Sequence, residues 1–343
     1  MSADTTTAKL TAKDFSSDQD VKWCPGCGDY AILAQVQRVF PEFDVKKEDV
    51  VFVSGIGCSS RFTYYMDTYG MHSIHGRAAA VVSGIRATNP NLDVWMISGD
   101  GDSLSIGGNH FIHLLRRNFN VKYLMFNNQI YGLTKGQYSP ASEKGKNTKS
   151  TPFGSLDEPF NPAELALGAK GTFVARTLDR DAKHQQAILK RAHEHKGTAF
   201  VEIYQNCPVF NDGAFFTYTE KETKMEECIF VEHGKPLVFG ANSDKGIKLD
   251  GLKPVIVDLA GGASVNDLWI HDETDRMKAT LLAGLFDNPA MNPHNPRPFG
   301  VFYKENRATY EDDLINQINA VKAKKGPTPL DRILSGDKTW TIA

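Results

Sequence analysis

From Trp23 to about residue 204 the chain alternates short apolar runs with stretches whose apolar residues recur every three or four positions. The runs VVFV within 49–57, DVWMIS (93–98), VKYLMFNN (121–128), TFVART (172–177) and TAFVEIY (198–204) predict buried strands. The stretches 31–40, 76–89, 107–118 and 184–195 predict helices with one apolar face. Strand–helix alternation with nearly continuous apolar strands predicts an α/β fold, a parallel sheet with helices on both faces. Such a sheet binds ligands at the carboxyl ends of its strands. Three loops leave those ends: GIGCSSRF (55–62), SGDGDSLSIGG (98–108) and NNQIYGLTKGQYSP (127–140).

The pattern divides the chain into an N-terminal arm (1–20), a main domain (21–230) and a C-terminal extension (231–343) packed on the core or on a partner. In the extension, PLVFG and KPVIVDL predict short strands and ETDRMKATLLAGLF a helix. Segment 136–163 is long, polar and rich in Gly, Pro and Ser, which predicts a loop that orders around a ligand or partner.

Composition narrows the functions. The 343 residues are 41% apolar, enough for a large core. The 39 basic and 41 acidic residues leave no overall positive field, which argues against nucleic acid as a partner. No apolar run approaches the roughly 20 residues of a membrane span. The polar N-terminus lacks a secretory apolar region, so a cytoplasmic location is expected. There the five cysteines read as metal ligands, catalytic groups or inert core thiols rather than disulfides.

Gly99-Asp100-Gly101-Asp102 directly follows a predicted strand, and Asn127-Asn128 ends the next one 25 residues later. A magnesium ion takes oxygen ligands in octahedral geometry and keeps phosphates in its shell. Asp100 offers a carboxylate, Asn128 an amide oxygen and Ile130 a backbone carbonyl. The glycines admit phosphates close to the chain, and a helix starting near Ser105–Gly107 would aim N–H groups at them. This layout resembles the diphosphate-binding domain of thiamine-diphosphate enzymes. A nicotinamide site is disfavoured, because no G-x-G-x-x-G opens a helix after the first strand.

Cys24 and Cys27 form a C-x-x-C in the turn WCPGCG, Cys58 follows a strand in GIGCSS, and Cys207 follows another in QNCP. Four thiolates can hold zinc or an iron–sulfur cluster. Cys228 has no loop context and reads as a core thiol. His75-Gly76-Arg77 opens a predicted helix, and both side chains are expected to face the site, with His75 as proton donor or carboxylate binder.

The segments 23–37, 54–78, 99–118, 127–140 and 200–216 together resemble the beta subunit of 2-oxoacid:ferredoxin oxidoreductases, of the 2-oxoglutarate type. The resemblance implies thiamine diphosphate, Mg²⁺ on Asp100, Asn128 and the Ile130 carbonyl, and one [4Fe–4S] cluster on Cys24, Cys27, Cys58 and Cys207. Further cofactor contacts are expected from Gly57, Cys58, Ser59, His75, Gly99, Gly101, Asp102, Gly132, Leu133 and Thr134. Arg61 and Lys135 match positions that meet the 2-oxoacid carboxylates.

The implied reaction is oxidative decarboxylation of 2-oxoglutarate, with coenzyme A taking the acyl group and ferredoxin the electrons; the reverse carboxylation would use the same site. No second thiamine domain is visible, so an alpha subunit is expected to supply the pyrimidine-binding domain and activating glutamate, in an α2β2 heterotetramer. Rival readings are a pyruvate or broad-specificity enzyme of the same family, a non-oxidative thiamine decarboxylase with structural zinc, and a non-catalytic zinc-binding module.

Overall fold

The computed structural model describes residues 10–286, 295–340 and 342. Its strands are β1 (Val50–Ser54), β2 (Tyr69–His72), β3 (Asp93–Gly99), β4 (Val121–Asn127), β5 (Phe173–Leu178), β6 (Ala199–Tyr204), β7 (Cys228–Val231), β8 (Val238–Phe239), β9 (Lys245–Asp250), β10 (Lys253–Asp258) and β11 (Arg297–Lys304). The main sheet runs β2-β1-β3-β4-β6-β5-β11-β7. Its neighbouring strands are parallel except β11 against β5. A small antiparallel sheet, β10-β9-β8, is inserted in sequence between β7 and β11 of the main sheet.

Alternate side chains of each central strand point to opposite faces, and each face needs its own cover. In β3, Val94 and Met96 join one apolar core, and Trp95 and Ile97 the other. The first core is closed by the helices Ala78–Thr88 and Gly108–Arg117, the second by Asp29–Val39 and Ala182–Glu194. Register then levels the carboxyl ends: Ser54 pairs Ile97, Gly99 pairs Phe126, and Asn127 and Leu178 both pair Tyr204.

Four expectations need amendment. Residues 10–20 are no free arm, because Phe15 is fully buried 5.2 Å from the Phe40 ring and Ser16 bridges Met66; residues 1–9 of the expected arm lie outside the described residues. The chain past residue 230 is not merely an addition to the sheet. β7 crosses that boundary, and the apolar run of β11 inserts between β5 and β7. Segment 136–163 is stapled from within: Ser155 Oγ donates to the Glu143 carbonyl and the Phe160 N–H to the Pro140 carbonyl, while Ser142 Oγ ties it back to the Gln129 carbonyl. The helix expected near Ser105–Gly107 does begin there (Gly108–Arg117, N-cap Gly107), but a shorter one, Asp100–Leu104, precedes it directly after the strand.

Candidate functional site

The level strand ends build a cleft of about 160 Å³. Its wall comes from the loop after β1 (Ile56–Ser59), His75, the turn Gly99–Asp102, and Asn128 with Ile130–Thr134 after β4. All the residues expected to touch cofactor therefore lie on one surface. Ile56 and Tyr131 line it as well, and nothing in their sequence context singled them out. Gly101 is obligatory, since a Cβ there would run into the Tyr131 ring, whose hydroxyl donates to the Gly101 carbonyl at 2.9 Å.

Asp100 is 2% exposed, and burial pushes its carboxyl up to about 6 against the hydrogen bonds from Ser139 and neighbouring backbone. Among the described residues no lysine, arginine or histidine pairs with it. A buried carboxylate without a cationic partner suits a metal ion. Ser139 Oγ lies 2.5 Å from Asp100 Oδ2 and fixes its orientation. Asn128 Oδ1 accepts from the Ile130 N–H at 3.1 Å, which sets the loop that carries the Ile130 carbonyl.

Asp102 has another task. Its Oδ1 accepts from the N–H groups of Ile56 (3.1 Å) and Gly76 (2.7 Å) and from His75 Nδ1 (2.5 Å), while Oδ2 accepts from Ser98 Oγ at 2.6 Å. With its oxygens so occupied, it clamps two loops instead of meeting a ligand. It also orients His75, because an Nδ1–H given to Asp102 leaves Nε2 as the free ring nitrogen.

The cysteine loops are tied together by hydrogen bonds. Trp23 Nε1 donates to the Cys58 carbonyl at 2.7 Å, the Gly28 N–H to the Asn206 carbonyl at 3.1 Å, and Gln205 Nε2 to Cys27 Sγ at 3.2 Å. The point where a Cβ on Gly132 would sit lies 3.6 Å from Cys58 Sγ and 3.7 Å from Cys207 Sγ. Cys24 is exposed, and all five cysteines are free thiols. Burial first, then the Asp29 carboxylate and the neighbouring thiols, pushes Cys58 up to about 11. The Cys27 thiol is also raised, by burial and then by Asp29. Such thiols stay protonated until a metal displaces the proton. Among the described residues, no three His, Cys, Asp or Glu side chains gather tightly enough for a single metal ion.

Residues 55–203 match the family of the thiamine pyrophosphate enzyme, C-terminal TPP binding domain. A 2-oxoglutarate oxidoreductase subunit KorB from Mycobacterium tuberculosis is 49% identical over 342 residues, 98% of this chain and 90% of that one. The chain belongs to the beta subunits of 2-oxoacid:ferredoxin oxidoreductases. The 2-oxoacid:ferredoxin oxidoreductase 1 beta subunit of Aeropyrum pernix is 46% identical over 190 residues, 55% of this chain and 60% of that one. A solved 2-oxoglutarate:ferredoxin oxidoreductase from Magnetococcus marinus, with 2-oxoglutarate, coenzyme A and succinyl-CoA bound, superposes with a TM-score of 0.77 at 31% identity over 98% of both chains. As a beta subunit, the chain implies an alpha partner.

The expected substrate-facing cations of this beta subunit are less well gathered than its cofactor residues. Arg77 turns to the Ile106 carbonyl at 3.1 Å and does not line the cleft, because it precedes the helix Ala78–Thr88 and points back along the neighbouring turn. Arg61 and Lys135 adjoin lining residues in sequence but stand outside the wall, Lys135 exposed and at φ 77°. Cys228 is buried in β7, apart from the other four, as expected for a core thiol.

Three residues with a part in the site carried no sequence signal: Ser139, Gln205 and Asp29. Asp29 is buried beside Cys27, and neither of its oxygens accepts a hydrogen bond of normal geometry. Burial raises its carboxyl to about 7. Among the described residues no helix is long and apolar enough to cross a membrane.

Proposed function

We propose that this beta subunit, with its alpha partner in an α2β2 enzyme, oxidatively decarboxylates 2-oxoglutarate in the presence of coenzyme A and reduces ferredoxin. Mg²⁺ would bind Asp100, Asn128 and the Ile130 carbonyl and carry thiamine diphosphate; one [4Fe–4S] cluster would bind Cys24, Cys27, Cys58 and Cys207. When bound, the thiamine supplies the electron sink for loss of CO₂, and the cluster takes up the electrons one at a time.

The observation that carries the reading is the shared wall. Cys58 itself lines the thiamine cleft, and Gly132, also on that wall, lies against the sulfurs of Cys58 and Cys207. A structural zinc needs four sulfurs at about 2.3 Å from one ion, whereas a cubane spreads one thiolate to each iron. Neither rival zinc reading explains a cysteine placed on the wall of a thiamine site with a second thiol just behind that wall.

His75, oriented by Asp102 and directed with Nε2 free, is the group suited to hold or move a proton in the cleft. Arg61 and Lys135 are the candidates for the substrate carboxylates, approached by substrate rather than built into the wall. No glutamate lines the cleft among the described residues, which fits an activating glutamate from the alpha subunit.

The test is anaerobic purification with the co-expressed alpha subunit, assay of iron and sulfide, and coenzyme-A-dependent reduction of ferredoxin by 2-oxoglutarate, pyruvate and branched 2-oxoacids. The proposal expects a brown protein fastest with 2-oxoglutarate. Faster turnover of pyruvate replaces the substrate assignment, and a colourless zinc protein rejects the oxidative chemistry.

A further inference from the structure

Resting on the cofactor assignment above, we propose that Gln205 is a positioning residue that links the two inorganic centres. Its carboxamide oxygen holds the magnesium ligand Asn128, and its carboxamide nitrogen donates a hydrogen bond to the cluster sulfur of Cys27.

Gln205 is the first residue beyond β6 and is 1% exposed. Its backbone N–H donates to the Asn127 carbonyl at 2.9 Å, so the sheet edge fixes where its side chain starts. The network also fixes which way the amide faces. Asn128 commits Oδ1 to the Ile130 N–H and therefore presents Nδ2 to its neighbour. Gln205 Oε1 accepts from that Nδ2 at 2.8 Å. Its Nε2 is then left to donate to Cys27 Sγ at 3.2 Å and to the Asn206 carbonyl at 2.5 Å. One buried side chain thus touches a residue of each centre, with no ambiguity between its oxygen and its nitrogen.

The sulfur bond has a chemical consequence. A hydrogen bond to a ligating thiolate withdraws electron density from the cluster and stabilises its reduced form, raising the reduction potential. Among the described residues no other side chain donates to any of the four sulfurs. The Asn128 bond has a different consequence: together with the Ile130 N–H it fixes the carboxamide plane, so that the second lone pair of Oδ1 is held in one direction for Mg²⁺.

Two substitutions separate the halves of the link. In Q205E a carboxylate oxygen still accepts from Asn128, but no N–H remains for the sulfur. In Q205M both bonds are lost at similar volume. The complex with its alpha subunit is purified without oxygen, and two quantities are measured: the cluster midpoint potential, by redox titration followed by electron paramagnetic resonance, and the Mg²⁺-dependent affinity for thiamine diphosphate, by calorimetry.

Both variants should have a more negative potential. At fixed poise the reduced-to-oxidised ratio should fall about tenfold, which is 59 mV for one electron. Q205E should retain wild-type thiamine affinity, and Q205M should lose about tenfold. Iron-replete variants with unmoved potentials overturn the link to the cluster, and equal loss of thiamine affinity in both variants overturns the selective link to Asn128. A wild-type complex lacking iron and sulfide overturns the cofactor assignment and the proposal with it.

Discussion

The two ends of the main sheet treat buried polar groups in opposite ways. At the amino ends of β4, β5 and β6, most are satisfied within the chain. Lys122 Nζ donates to the His195 carbonyl and Asn120 Oδ1, both at 2.7 Å. Asn118 bonds the carbonyls of Arg307 and Ala308, the Thr172 hydroxyl and the Thr198 N–H. Arg86 and Glu311 form a buried pair at 2.7 Å that fastens the helix Tyr310–Lys325. At the carboxyl ends, Asp29 and Asp100 are buried carboxylates without cationic partners, and three of the four gathered thiols are at least half-buried. A closed network stabilises the folded chain; an open one is a set of ligands waiting for cations. The same strands do both, because the GDG turn and the four gathered cysteines lie in loops at only one end.

The largest effect should come from Asp100→Ala. It removes the one carboxylate suited to the metal, so Mg²⁺-dependent thiamine binding should vanish while the visible cluster absorption persists. Undiminished thiamine binding in calorimetry would show that the open end has been misread. At the closed end, Arg86→Ala leaves Glu311 buried and unpaired. Unfolding in denaturant should then show a loss of about 3–5 kcal/mol, with thiamine affinity at 25 °C unchanged. Equal damage to both quantities would erase the distinction between the ends.

Ser139→Ala should be milder. It removes the hydroxyl that orients Asp100 and should weaken Mg²⁺-dependent thiamine binding by roughly 10- to 100-fold, with little change in unfolding free energy. The smallest effect concerns pH. Burial holds His195 down to about 3 and His184 down to about 4, each from the usual 6.5. At these two positions the unfolded chain takes up protons near pH 6.5 that the folded chain refuses, so their contribution to stability is full above 6.5 and is lost as pH drops toward 4 and then 3, against the opposite contribution of the buried Asp29 and Asp100 carboxyls. The slope is at most about 1.4 kcal/mol per pH unit for each histidine. Titration of the two imidazoles by NMR checks this directly: ring protonation of His184 and His195 near pH 6.5 in the folded protein would show that they are not buried as neutral groups.

The sequence carried the open end better than the closed one. Strand ends bearing GDG, NN and lone cysteines announce ligand chemistry by residue type, and the residues expected to hold thiamine and its metal line one cleft. Side-chain direction is not written in the same way. Arg77 had the right neighbours but turns to a backbone carbonyl. Asp102 had the right motif but is consumed by the loops it clamps. The closed end was nearly invisible, because its bonds join residues far apart in sequence, such as Arg86 and Glu311. β11 escaped for a related reason: its apolar run, PFGVFY, lies in a tail of weak pattern, and only the sheet shows that it fills a gap beside β5.

The central claim is that a thiamine cleft and a cluster cage share one wall, so that electrons pass directly between them. The most direct measurement is a single-turnover experiment on the anaerobic complex with no external acceptor. On adding 2-oxoglutarate and coenzyme A, the visible absorption of the cluster should bleach, and the paramagnetic signal of the reduced cluster should appear. CO₂ release with the cluster spectrum unchanged would contradict the account.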